Sequence, residues 1–181
     1  MRKILILILF MFSFITKASS NYDKLAYDFE FKSIDGDVLK LNQYKNKVII
    51  VVNVASRCGY TPQYEDLQSI WLKYKKKGVV IIGVPTNNFK QEPGDNESIK
   101  EFCKTNFAIN FPMSSKINVI GNNAHPFYKW ARKSYGLGAI PKWNFHKIII
   151  NKNGVIVNTF ASFTKPSSKK IINAIEKEIK S

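Results

Sequence analysis

The chain has 181 residues, 45% of them hydrophobic, and 28 basic against 13 acidic residues leave a formal charge of +15. That length fits one domain able to bury about 70% of its unfolded surface without a disulfide scaffold. The hydrophobic content excludes a mainly disordered chain, and two cysteines with two histidines make a poor set of metal ligands. The charge is carried by lysine, since only Arg2, Arg57 and Arg132 are arginines. Arginine is the residue that reads guanine edges and clamps phosphate with two parallel bonds, so nucleic acid is not an expected partner. At most the field suggests weak attraction to an anionic membrane surface.

Residues 1–20 read as an address. Arg2 and Lys3 precede an apolar run from Ile4 to Ile15 broken only by Ser13, and the small residues Ala18, Ser19 and Ser20 follow Lys17. A charged start, a short apolar core and small residues at the cleavage point are the pattern of a signal peptide. Twelve residues rise only about 18 Å as a helix, short of a bilayer core of about 30 Å. The expectation is an exported protein, periplasmic or secreted, with residues 1–20 as the signal and 21–181 as a single domain. Outside the cytosol thiols tend to oxidise, so two cysteines there either pair or cycle.

Phe29 to Ser33 and Val38 to Leu41 flank Asp35-Gly36, a hairpin signal. Val48 to Val54 (VIIVVNV) is rich in β-branched residues and predicts a buried strand. Thr61-Pro62 reads as an N-cap and first helical residue, with Leu67, Ile70, Trp71 and Tyr74 at helical spacing and Gly78 ending the helix. Val79 to Val84 is a second buried strand. Asp95 or Asn96 caps a helix with Ile99, Phe102 and Cys103 on one face, and Pro126 opens another with Phe127, Trp130 and Ala131 inward. Lys147 to Ile150 and Val155 to Phe160 flank Asn153-Gly154, and Ser167 or Ser168 caps a last helix with Ile172, Ile175 and Ile179 toward the core. Two apolar strands separated by a helix imply a parallel βαβ unit. With the second hairpin and the closing helix this predicts an α/β, thioredoxin-like arrangement: a central mixed sheet flanked by helices, with an N-terminal β-hairpin.

The segment Ala55 to Pro62 (ASRCGYTP) lies where a core strand ends and a helix begins, the place where open α/β sheets put their chemistry. Cys58 sits just ahead of a helix N-terminus, whose partial positive charge favours a thiolate, and Arg57 adjoins it. A disulfide oxidoreductase of the C-x-x-C kind would carry a second cysteine at position 61, and this chain has Thr61. Cys58 is therefore better suited to attacking an oxidant and waiting for a distant partner. Cys103 stands 45 residues later on a helix face. Core filling, a permanent disulfide to Cys58 and a resolving thiol all stay open for it.

Four blocks occur in order: Asn53-Val54-Ala55-Ser56-Arg57-Cys58-Gly59; Phe89-Lys90-Gln91-Glu92-Pro93-Gly94; Glu101-Phe102-Cys103 followed by Phe111-Pro112; and Trp143-Asn144-Phe145. On these blocks the chain from about residue 25 to 181 resembles the glutathione peroxidase family in its cysteine-containing, thioredoxin-dependent two-cysteine type. The resemblance implies that Cys58 takes the attacking position held by selenocysteine or cysteine. It gives Gln91, Trp143 and Asn144 the other places of the catalytic tetrad and makes Cys103 the resolving cysteine. It implies a thiol peroxidase acting on hydrogen peroxide or organic and lipid hydroperoxides, with no cofactor and a thioredoxin-like protein or glutathione as electron donor. The alternatives are a glutathione-dependent monothiol peroxidase and an exported thiol–disulfide oxidoreductase. Two departures accompany the likeness. The chain reads Thr86-Asn87-Asn88-Phe89 where many members have Cys-Asn-Gln-Phe, and it is one residue shorter between Phe89 and Gln91. The stretch from His125 to Trp143 lacks the long insertion that tetrameric members use for assembly, so a monomer or weak dimer is expected.

Overall fold

A computed structural model describes residues 23–181, so the expected signal segment, residues 1–20, lies outside the described residues. The expected N-terminal hairpin is a two-stranded antiparallel sheet of β1 (Glu30–Lys32) and β2 (Val38–Lys40). Its turn needs Gly36 at φ +101°, a conformation that side chains with a Cβ rarely adopt. The main sheet holds β3 (Val48–Val54), β4 (Val79–Pro85), β5 (Lys147–Ile150) and β6 (Ile156–Phe160) in the order β4-β3-β5-β6. β3 and β4 run parallel, and β5 lies antiparallel to both β3 and β6. Four longer helices complete the fold: α1 (Gln63–Tyr74), α2 (Asn96–Phe107), α3 (Pro126–Tyr135) and α4 (Lys169–Lys180). This is the mixed, helix-flanked sheet with an N-terminal hairpin that the sequence predicts.

Strand alternation sorts the core into two layers. Val48, Ile50, Val52 and Val54 of β3 face α1, α2 and α4, where they pack with Leu67, Ile70, Ile99, Ile171 and Ile175. Ile49 and Val51 face the opposite side, against the N-terminal hairpin and α3 residues Phe127, Trp130 and Ala131. With both faces covered, β3 and β4 are buried along their whole length, which is why they read as uninterrupted apolar runs.

Two local expectations are corrected. Thr61 does not cap α1: helical hydrogen bonding begins at Gln63, Pro62 occupies the cap position, and the Thr61 hydroxyl is turned back into the preceding loop. In α4 the fully buried stripe is Ile171, Ile175 and the stem of Glu178, while Ile172 and Ile179 are half-buried at its edge. Elsewhere the caps agree with the sequence. Asp95 accepts from the Ser98 N–H and Ser168 from the Ile171 N–H, each such cap being worth about 1 kcal/mol. Pro126 is the first residue of α3.

Candidate active site

The site is assembled at the carboxyl ends of β3 and β4 from three loops. The first leaves β3 and carries Cys58. Its shape is set by Thr61, whose hydroxyl accepts from the Cys58 N–H at 3.0 Å and donates to the Ala55 carbonyl at 2.9 Å. The position that would hold the second thiol of a C-x-x-C pair is thus occupied by a hydroxyl committed to the loop. The Cys58 side chain is only 7% exposed, and its sulfur accepts from the Tyr60 N–H at 3.4 Å. Arg57 is exposed, and its backbone N–H donates to the Gln91 carbonyl at 3.0 Å, joining the first loop to the second.

The second loop follows β4 and carries Gln91. Lys90 in it holds φ +57°, a left-handed position where a glycine is the usual occupant. The Gln91 side chain reaches the third loop. Glu92 is buried, and its carboxylate accepts from the Ser56 N–H at 2.8 Å and the Ser56 hydroxyl at 3.0 Å. Burial pushes the Glu92 carboxyl above the usual carboxylate range, while the Ser56 bonds, Lys116 and Arg57 pull it back. Lys116 in turn donates to the carbonyls of Glu92, Pro93 and Gly94. Through Ser56, two residues before Cys58, the buried Glu92 carboxylate in this way pins the Cys58 loop to the Gln91 loop.

The third loop, just before β5, carries Trp143 and Asn144. Asn144 is fully buried, its Nδ2 donates to Gln91 Oε1 at 2.9 Å, and its Oδ1 has no hydrogen-bond partner among the described residues. Trp143 is 42% exposed, so it is no core aromatic, and its ring lies 5.4 Å from the Phe89 ring of the second loop. Phe145 holds φ +63°, a conformation costing a residue with a side chain roughly 1–2 kcal/mol. The structure therefore brings Gln91 and Asn144 into direct contact, places Trp143 beside them through Phe89, and sets the Cys58 loop against the backbone of Gln91. Among the described residues no side chain hydrogen-bonds the Cys58 sulfur.

Cys103 lies apart, in the middle of α2, and is 1% exposed. Both cysteines are free thiols within one packed cluster. Burial pushes the Cys103 thiol up to about 11, with the Tyr64 hydroxyl opposing this shift and Glu92 adding to it. Tyr64 is itself fully buried, with its ring 5.2 Å from Phe107 of α2 and edge-on to Phe145 at 5.3 Å. No group of three or more His, Cys, Asp or Glu side chains suited to a metal ion occurs among the described residues.

Cys58, Gln91, Trp143 and Asn144 are the candidates legible in the sequence, whereas the holding roles of Thr61, Glu92 and Asn53 are not. All three are buried: Thr61 braces the Cys58 loop from within, Glu92 ties that loop to the Gln91 loop, and Asn53 ties β3 to the Trp143 loop. Asn53 could have been noticed as the one amide inside an otherwise apolar strand run.

The glutathione peroxidase family model matches residues 26–132, more than half of the chain, and ends before Trp143. The chain is 48% identical over 147 residues to glutathione peroxidase-like peroxiredoxin 2 of Saccharomyces cerevisiae, covering 78% of this chain and 90% of the relative. It is 38% identical over 149 residues to the hydroperoxy fatty acid reductase gpx1 of Synechocystis, covering 77% of this chain and 88% of that one. Among solved structures, the crystal structure of Trgpx in its apo form superposes with a TM-score of 0.70 at 36% identity, over 88% of this chain and 97% of that one. A cysteine at the β3–α1 junction, a glutamine and an asparagine hydrogen-bonded beside it, and likeness of this extent have one reading: the chain belongs to the glutathione peroxidase family.

Proposed function

We propose that this glutathione peroxidase works as a two-cysteine thiol peroxidase in which Cys58 attacks and Cys103 resolves. The Cys58 thiolate attacks one oxygen of a hydroperoxide, the O–O bond breaks, and the departing oxygen takes up a proton, leaving Cys58 sulfenic acid and an alcohol or water. The Cys103 thiol then condenses with the sulfenic acid, forming the Cys58–Cys103 disulfide and releasing water. A thioredoxin-like dithiol reduces that disulfide by exchange.

Chemistry explains why a tetrad is needed at all. An ordinary cysteine is about 3% thiolate at pH 7, so complete ionisation would raise the reactive fraction only about thirtyfold. The remaining acceleration has to come from donors aimed at the charge that develops as the O–O bond breaks. Gln91 Nε2 and the Trp143 indole N–H suit that task, since both are neutral donors that do not titrate and neither is taken by another described residue. The observation that carries the reading is the bond from Asn144 to Gln91, which unites two loops far apart in sequence beside the Cys58 loop.

The resolving step needs Cys103, buried in regular helix, to meet the Cys58 sulfenic acid with the two Cα atoms within about 7 Å of each other, and a shift of α2 would let it do so. α2 is suited to that, since only Ile99 and Cys103 of its twelve residues are fully buried. Exposed Tyr60 and Trp143 beside the Cys58 loop, with the naming of the Synechocystis relative, support lipid hydroperoxides as substrates. Lysine-borne positive charge supports a weak attraction to anionic membranes. The short stretch between His125 and Trp143 supports a monomer or weak dimer. Residues 1–20 support a periplasmic or secreted location.

The test is peroxide consumption by the purified chain, titrated separately with thioredoxin and with glutathione. Thioredoxin should sustain turnover and glutathione should add little. Turnover that responds to glutathione alone would favour the monothiol cycle instead.

A further inference from the structure

Asn53 is the single amide in the β3 run VIIVVNV and is 1% exposed. A buried amide is costly unless its hydrogen bonds are made, and here they go to one destination. Nδ2 donates to the Trp143 carbonyl at 3.1 Å, and Oδ1 accepts from the His146 N–H at 3.2 Å. The backbone of the same residue adds two more bonds: its carbonyl accepts from the Phe145 N–H at 2.6 Å, and its N–H donates to the His146 carbonyl at 3.3 Å. One residue of β3 therefore grips the arch Trp143–His146 at both ends and in the middle. The arch contains the left-handed Phe145, a conformation that persists only where its surroundings hold it. Asn144 projects from that arch to Gln91. Every other residue of the run is valine or isoleucine, and all four hydrogen bonds of Asn53 go to the arch, so the amide answers to the loop rather than to the sheet.

We propose that Asn53 is a positioning residue for peroxide reduction, setting Trp143 and Asn144 against the Cys58 loop through its grip on the Trp143–His146 arch. This role rests on the assignment of Trp143 and Asn144 to the oxidation step. Asn53 touches neither the attacking sulfur nor the peroxide in this account. It acts by fixing the carbonyl of Trp143 and the N–H of His146, which determines where the indole and the Asn144 amide point. Misplacing a catalytic group by about 1 Å can cost roughly a hundredfold in rate.

The test uses Asn53→Asp, which keeps the shape and the acceptor for His146 but replaces the donor to Trp143 by a carboxylate oxygen, together with Asn53→Ala. Stopped-flow oxidation of Cys58 by hydrogen peroxide should slow about 10- to 100-fold at pH 7 in both. Thioredoxin reduction of a preformed Cys58–Cys103 disulfide should stay within about twofold of wild type, because that step does not use the arch. In Asn53→Asp the gap to wild type should narrow as pH falls into the carboxyl range, where a protonated Asp regains a donor for the Trp143 carbonyl. Wild-type oxidation in folded Asn53→Asp, or an equal loss in the oxidation and reduction steps, overturns the role. Trp143→Phe and Asn144→Ala are run beside it. If those two are slow while Asn53→Asp is not, the role of Asn53 alone falls. If those two oxidise at the wild-type rate, the assignment beneath it falls and takes the role with it.

Discussion

Cys58 and Cys103 share a packed cluster and are both nearly inaccessible, yet their surroundings differ in kind. Cys58 sits on an irregular turn fixed by polar ties: the Thr61 hydroxyl on its own N–H, the Ser56–Glu92 pair behind it and the Arg57–Gln91 backbone bond beside it. Cys103 sits in regular helix, covered by apolar side chains, with its thiol pushed up to about 11 by burial. On the proposed cycle, the difference separates a thiol that is presented from one that is stored. A presented thiol needs its backbone fixed against competing geometries. A stored one needs only to be kept protonated until its helix opens.

The largest effect should come from removing the presented thiol. Cys58→Ser should abolish peroxide consumption, a loss of about 10³-fold or more in a coupled assay, and retained turnover would erase the distinction. Removing the stored thiol should do something else. Cys103→Ser should leave the first oxidation within about twofold of wild type and reduce thioredoxin-supported cycling at least roughly tenfold. Cycling at the wild-type rate in that variant would return Cys103 to core filling.

Smaller changes sharpen the contrast. Thr61→Val leaves the buried Cys58 N–H and Ala55 carbonyl without the hydroxyl that serves both, at a cost of about 1–3 kcal/mol. Thermal denaturation should register that loss, and Cys58 oxidation should slow with it. An unaltered oxidation rate would mean that the turn is held by its other ties. Asp95→Ala removes the cap of α2, worth about 1 kcal/mol, and should raise opening of that helix and the rate of disulfide formation by up to about fivefold. Hydrogen exchange across residues 96–107 should increase in parallel, and slower disulfide formation would contradict storage in the helix.

The smallest effect is on pH dependence. Folded Cys103 keeps its proton to about 11, against an ordinary value of 9.0 for the unfolded thiol. Between those values the unfolded state binds fewer protons, so stability falls as pH rises. The contribution of Cys103 is complete below about pH 9 and is lost through about pH 11. The stability advantage of wild type over Cys103→Ala in chemical denaturation should accordingly shrink between pH 8 and 11. A constant difference would place Cys103 in a more polar setting than this.

How much of this could be read in the sequence follows from the range of the interactions involved. β3 and β4 were legible because strands buried on both faces must be apolar throughout, and the hairpins because Asp35-Gly36 and Asn153-Gly154 mark turns with a glycine at positive φ. The Thr61 cap was misread because Thr-Pro before an apolar run has the form of a helix start, whereas the hydroxyl is claimed by a carbonyl six residues back. The α4 stripe moved by one residue because Ile171, Ile172, Ile175 and Ile179 offer more isoleucines than one face can bury, and only packing against the sheet selects among them. In the site, Cys58 stood out by its place between strand and helix. Gln91, Trp143 and Asn144 were reached through family resemblance alone, since nothing local distinguishes them from loop residues. The pins Asn53 and Glu92 bond residues 90 and 36 positions away, a relation invisible before the chain is folded.

The pairing of a presented with a stored thiol is tested most directly by treating the reduced protein with one equivalent of hydrogen peroxide and mapping its peptides without reduction. Wild type should yield a Cys58–Cys103 disulfide, and Cys103→Ser a sulfenic acid that a trapping reagent captures at Cys58. A wild-type product in which Cys58 is oxidised while Cys103 remains a free thiol would contradict that pairing.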